Sequence, residues 1–174
     1  MDYRQRDRTV RQQILAAARS AVYATGFVLL WWWVVVSVRP LDAGLPALPR
    51  WVRTPGLVVA ALGGVLAVAC VGAFVVAGRG TPAPFDAPRR VVAAGPYRWV
   101  RNPMYLGAML VIAGCGCALR SPAALGVAVL FIVVAHLFVL LYEEPTLERR
   151  FGAGYLDYKR SVNRWLPRRP TRRP

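Results

Sequence analysis

Four long stretches free of Asp, Glu, Lys and Arg constrain what this chain can fold into: Ser20 to Val38, Thr54 to Gly78, Asn102 to Leu119 and Ser121 to Tyr142. Each is close to the roughly 20 residues that carry an α-helix across hydrocarbon. A backbone in lipid must satisfy its own N–H and C=O groups, so such runs read as spanning helices. Composition agrees, since 56% of the 174 residues are hydrophobic and the mean hydropathy is +0.39, above an ordinary soluble domain. The expected fold is an all-α integral membrane protein with four transmembrane helices, forming one domain over residues 1–174. Its parts are a basic arm at 1–19, two N-terminal spans within 20–78, a polar-ended hairpin and tail at 79–167, and a basic end at 168–174. The first apolar run is long, follows a polar arm and lacks a small-residue cleavage pattern, so it is expected to remain as a helix.

The net charge of +15 raises the question of nucleic acid, and its placement answers it. Five basic residues precede the first run, five lie between the second and third, and nine follow the fourth. Only three lie in the first loop and one in the third. By the positive-inside rule, both termini and the Arg79 to Arg101 loop face the cytoplasm. The basic tail, with Arg164, Arg168, Arg169, Arg172 and Arg173, suits anionic lipid headgroups, and specific nucleic-acid binding is not expected.

Several conspicuous residues carry no chemistry on this reading. Cys70, Cys115 and Cys117 fall inside the apolar runs without CxxC or histidine spacing, so they read as small packing residues and no metal site is expected. Gly63, Gly64, Gly114 and Gly116 read as close-approach positions between helices. Trp31, Trp32 and Trp33 project in three directions around a helix and read as interfacial bulk facing lipid. His136, seven residues before Glu143, returns to nearly the same helical face. It either lines a substrate cavity above the glutamates or sits as a neutral imidazole hydrogen-bonded between helices.

Two polar stretches at run ends remain. One is Gly95-Pro96-Tyr97-Arg98-Trp99-Val100-Arg101-Asn102-Pro103-Met104-Tyr105-Leu106-Gly107, and the other is Glu143-Glu144-Pro145-Thr146-Leu147 followed by Phe151-Gly152, Tyr155 and Tyr158. Ionisable residues at the edge of a membrane segment are costly to place, so two such clusters point to a site at the membrane surface. Only Arg120-Ser121-Pro122 joins the third and fourth runs, with Ser121 positioned as N-cap and Pro122 at the first helical position. An antiparallel hairpin follows, and it brings Asn102–Tyr105 and Tyr142–Glu144 to one membrane face.

At these residues the chain resembles the small membrane methyltransferases that include isoprenylcysteine carboxyl methyltransferases and phospholipid N-methyltransferases. The resemblance runs from about Thr81 to Pro167 and follows G-x-Y-x-x-x-R-H-P-x-Y-x-G, a helical hairpin, E-E-x-x-L-x-x-x-F-G-x-x-Y-x-x-Y and a basic-Pro segment. It implies S-adenosylmethionine as methyl donor, bound on the cytoplasmic side. It further implies that Glu143 takes the donor ammonium with Glu144 in support, while Tyr97, Asn102, Pro103, Met104 and Tyr105 contact the donor from the opposite helix. Arg90, Val91 and Val92 match another donor-lining stretch. The implied acceptor is lipophilic: a lipid amine, an isoprenoid, or another small carboxylate or thiol. Two departures bear on chemistry. Asn102 stands where the pattern has histidine, which removes a titratable group. Val139 stands where carboxyl-methylating relatives carry an arginine, which weakens an isoprenylcysteine assignment. No catalytic residue is assigned.

Downstream of the glutamates, Leu147, Phe151, Tyr155 and Tyr158 recur at three- and four-residue steps. The spacing predicts a short cytoplasmic amphipathic helix over Leu147 to Val162, closing over the donor or lying on lipid. The competing functions are an NADPH-dependent sterol-reductase-like membrane enzyme and a non-catalytic membrane module.

Overall fold

The computed structural model describes residues 3–74, 76, 91 and 93–167. Helix α1 (Tyr3–Ser37) leads through a 3-10 turn at Arg39–Gly44 to α2 (Arg53–Ala73). A further 3-10 turn, Gly95–Arg98, precedes α3 (Pro103–Leu119) and α4 (Pro122–Phe138). The chain then passes through one π-helical turn, Val139–Glu143, into α5 (Glu144–Phe151), and after a break forms α6 (Ala153–Ser161). No strand occurs among the described residues; an isolated parallel bridge pairs Val100 with Asn163.

Three helical segments are long and apolar enough to cross a membrane: Ala21–Gly44, Arg50–Ala73 and Pro122–Phe151. Helix α3 is apolar but has 17 residues. At about 1.5 Å per residue it spans roughly 26 Å, short of the roughly 30 Å hydrocarbon core. The expected four spans thus resolve into three full-length helices and one shorter apolar helix.

The α3–α4 hairpin forms as its connection requires. The Ser121 hydroxyl oxygen accepts a hydrogen bond from the Ala124 N–H at 3.1 Å, and Pro122 occupies the first turn, where its missing N–H costs nothing. Arg120 closes α3 in the left-handed region at φ 57° and donates from Nε to the Leu48 carbonyl at 2.9 Å. Asp42 adds a second tie by accepting from the Ala123 N–H at 2.9 Å, placing a carboxylate at the positive end of α4. The loop after α1 therefore anchors the hairpin end opposite the polar motifs.

Helix α2 packs on α3 through glycine. A Cβ on Gly63 would lie 2.7 Å from the Gly107 carbonyl oxygen and 2.8 Å from Leu110 Cβ, and one on Gly107 would lie 3.0 Å from the Gly63 oxygen. Gly56 and Gly114 meet the facing backbone in the same way. Without the hydrophobic effect between helices in lipid, such backbone approach supplies dispersion contact directly. Gly116 packs against Leu125, but Gly64 faces open space, so its expected close-approach role does not hold. The reason is angular, since consecutive residues lie about 100° apart on a helix and only one of the two can meet α3.

The tryptophan triplet divides likewise. Trp32 and Trp33 are exposed, whereas Trp31 turns inward and meets Phe131 of α4 edge-on with ring centroids 4.9 Å apart. Together with Val35, Ile112, Ala124, Val127 and Ala128, they build the core that α1, α3 and α4 share.

Gly63→Ala is expected to destabilise by about 1–3 kcal/mol through overpacking. Gly64→Ala is expected to leave stability unchanged or raise it by up to about 1 kcal/mol through helix propensity. Unfolding midpoints of the two variants in detergent check the contrast.

Candidate functional site

The hairpin sets the start of α3 beside the end of α4, and the first consequence is a hydrogen bond between the two polar motifs. The Tyr105 hydroxyl donates to Glu143 Oε2 at 2.9 Å. Pro145 explains the local geometry around the glutamates. Proline cannot donate to the carbonyl four residues earlier and its ring crowds it, so the helix widens immediately upstream. The Glu144 N–H bonds back to Val139 O across the π-helical turn. This wide turn changes the angular register between His136 and Glu143, and no hydrogen bond joins them among the described residues.

Adjacent in sequence, the two glutamates have different surroundings. Glu144 is 4% exposed and sits among three cations. Arg164 grips it bidentately, with Nε donating to Oε1 at 2.8 Å and Nη2 to Oε2 at 2.9 Å. Arg101 Nη1 lies 2.9 Å from Oε1, and Lys159 Nζ lies 3.3 Å from Oε2 while also donating to Glu148 at 2.6 Å. Such paired, hydrogen-bonded charge is what makes a buried carboxylate tolerable. Glu143, by contrast, pairs with no cation among the described residues and accepts from the neutral Tyr105 phenol.

The segment carrying Lys159 and Arg164 reaches the hairpin because the chain breaks at Gly152. There φ is 53° and ψ −130°, a conformation that favours glycine, and the single amphipathic helix expected over Leu147 to Val162 becomes α5 and α6. The bend turns α6 back over the polar ends of α3 and α4. Tyr158 donates to the Tyr97 carbonyl at 2.7 Å, the Arg101 N–H to the Asn163 carbonyl at 2.8 Å, and Asn102 Nδ2 to the Arg164 carbonyl at 3.3 Å. Trp165 Nε1 donates to His136 Nδ1 at 2.9 Å. Residues 155–165 thus form a strap across the hairpin.

Burial raises the Tyr155 phenol to about 12, and the nearby Glu144 charge adds in the same direction. Hydrogen bonding to Glu144 is the main cause that raises Arg164 further. The tyrosine is therefore neutral and the arginine charged throughout the physiological range.

The residues singled out from sequence fall into distinct settings. Tyr105 and Glu143 are joined by their hydrogen bond, and Met104 is partly buried against the Cys70–Tyr97 cluster. The Tyr97 ring is 8% exposed and packs edge-on against Phe74 at 5.1 Å. Pro103 is fully buried and Asn102 is 6% exposed with its amide committed to the strap. Val91 is half-buried, while Arg90 and Val92 lie outside the described residues. His136 is half-buried and accepts a hydrogen bond from the Trp165 indole. Arg164, expected at lipid headgroups, instead points inward to Glu144; Arg168, Arg169, Arg172 and Arg173 lie outside the described residues.

Sequence reasoning missed Arg101, Lys159 and Trp165. Arg101 is 92% buried by side chain, and its Nε and Nη1 have no well-directed hydrogen-bond acceptor. The available signal was a count of buried charge, because a deeply placed glutamate demands cations from elsewhere in the chain.

Glu144→Ala is expected to destabilise by about 3–5 kcal/mol, because it strands the buried Arg101 guanidinium. Glu143→Gln keeps the Tyr105 hydrogen bond and is expected to shift stability by less than about 1 kcal/mol. Thermal unfolding of both purified variants separates the two roles.

A family model for phospholipid methyltransferases matches residues 51–154, from α2 into α6. Protein-S-isoprenylcysteine O-methyltransferase A of Arabidopsis thaliana is 32% identical over 124 residues, covering 67% of this chain. The chain spans 60% of the length of that relative. An uncharacterized protein of Haemophilus influenzae is 42% identical over 64 residues, covering 36% of this chain and all of its own length. No solved structure matches the chain.

Proposed function

Because the chain belongs to the phospholipid methyltransferase family, we propose that it is an S-adenosylmethionine-dependent methyltransferase acting on a lipophilic acceptor at the cytoplasmic membrane face. The observation that carries this reading is the separation of the glutamate pair. Glu144 is saturated by Arg101, Lys159 and Arg164, while the Glu143 carboxylate, pinned by Tyr105, retains acceptor capacity for an ammonium. Support from Glu144 is therefore indirect, since it holds the strap that covers the hairpin ends.

The residues present fit the donor's remaining groups. A carboxylate is complemented by the N–H groups at the start of α3 beside Pro103 and by Arg101 Nε, which is buried without an acceptor. Met104, Tyr105 and Val91 supply apolar and aromatic surface. When bound, S-adenosylmethionine supplies a methyl group on a positively charged sulfur. The protein's part is alignment and exclusion of water, with α6 and the strap as cover and the Tyr105–Glu143 pair as fixed orientation. No enzyme-bound covalent intermediate is needed.

Val139 is fully buried at the position where carboxyl-methylating relatives carry arginine. An acceptor carboxylate finds no guanidinium there, and a lipid amine fits the site better. In the membrane, α3 serves as a fourth, tilted-neighbour span, and both termini face the cytoplasm with the basic loop and tail.

Calorimetric titration of S-adenosylmethionine into the detergent-purified protein tests the reading, with NADPH as control. Wild type is expected to bind the donor saturably and to ignore NADPH. Glu143→Ala is expected to lose about 1.5–3 kcal/mol, a tenfold or greater drop in affinity, without loss of fold. Folded wild type that binds NADPH, or binds neither, would overturn the assignment.

A further inference from the structure

Beside the strap lies a groove of about 340 Å³ lined by Leu106, Ile132, Val133, His136, Leu137 and Trp165. Its volume sits at the lower end for ligand sites. Apart from the nitrogens of His136 and Trp165, every lining side chain is hydrocarbon. Most of the wall belongs to α4, within the segment Pro122–Phe151 that is long and apolar enough to cross a membrane.

Trp165 stands at the junction of this groove and the polar site. One side of its indole lines the groove; the ring also meets Tyr105 at 6.4 Å in a T-shaped contact, and Tyr105 carries the hydrogen bond to Glu143. Two independent ties hold it there. Its Nε1 donates to His136 Nδ1, and its neighbour Arg164 is pinned through guanidinium and carbonyl alike. Accepting at Nδ1 leaves neutral His136 with its proton on Nε2, so the imidazole serves as a latch for the indole.

We infer that Trp165 is a gate and specificity-determining residue. The hydrocarbon chain of a lipid acceptor lies in the groove along Leu106, Ile132, Val133 and Leu137, and its polar end reaches the Tyr105 side of the donor site past the indole that His136 holds in place. This rests on the methyltransferase reading above and adds to it the path by which the acceptor arrives. Continuity through Trp165 and Tyr105 is the reason for choosing this groove over the other exposed apolar faces. Those faces, including Val129 and Leu130 of α4, offer lipid contact but no connection to a polar group.

The test uses the whole protein in phosphatidylglycerol–phosphatidylethanolamine vesicles doped with a phosphatidylethanolamine whose palmitoyl chain carries a diazirine. After illumination, labelled residues are mapped by mass spectrometry. Wild type is expected to show several-fold more label on Leu106, Ile132, Val133 and Leu137 than on Val129 and Leu130. Val133→Trp, which fills the groove from an exposed position, should remove that excess. His136→Phe keeps a ring but removes the latch, and should carry label onward to Tyr105. Label spread evenly over exposed α4 residues, or unchanged by Val133→Trp, would overturn the gate. Donor titrations on the same samples keep the two readings apart. Intact S-adenosylmethionine binding with no groove label rejects the gate alone, whereas wild type that labels in the groove but binds no donor rejects the methyltransferase reading.

Discussion

A carboxylate buried at the edge of a membrane helix is the constraint around which this molecule is arranged. Glu144, 4% exposed, is neutralised from outside its own helix, α5, whose Arg149 and Arg150 are not among its ion-pair partners. Arg101 comes from the turn before α3, and Lys159 and Arg164 come from beyond Gly152. Three sequence-distant segments are thereby drawn to one point. The strap's hydrogen bonds to Arg101, Asn102 and Tyr97, two through backbone carbonyls and one through the Tyr158 hydroxyl, accompany that convergence.

The same interaction makes its neighbour available. Were the cations shared between both glutamates, each would be half neutralised and neither free to receive a ligand. Geometry prevents the sharing, because the π-helical turn and Pro145 point the two side chains apart, one toward the strap and one toward Tyr105. Removal of one residue from that turn would rotate both at once, so pattern and bulge act as a unit. The close α2–α3 contact gives the arrangement a rigid backing, since backbones that meet without intervening side chains have little room to shift.

Much of the frame was legible from residue order alone. Uncharged runs fell on α1 to α4, although α1 begins at Tyr3, well ahead of its run, and Ser121-Pro122 located the hairpin with its N-cap, because these features depend on local chemistry. That the Asn102–Tyr105 and Tyr142–Glu144 stretches share one end of the hairpin followed from the short connection. Other features escaped for physical reasons. Gly63 and Gly64 look identical in sequence, yet a helix faces its partner at only one of them. A period of three and four residues across Gly152 suggested one helix, but a positive-φ glycine can end a helix without breaking the pattern. Arg164 read as a headgroup ligand because a basic tail is normally solvated, and only the demand of Glu144 reverses that. The Trp165–His136 pair had no sequence signature, since it joins residues 29 apart on elements whose mutual placement depends on the strap.

The order of the strap along the chain carries a consequence for biosynthesis. Helices α1 to α4 all precede residue 155, so they emerge from the ribosome and can enter the bilayer before Tyr158, Lys159, Arg164 and Trp165 have been made. Until then Arg101 is the described counter-charge of Glu144. Insertion and maturation are therefore successive events.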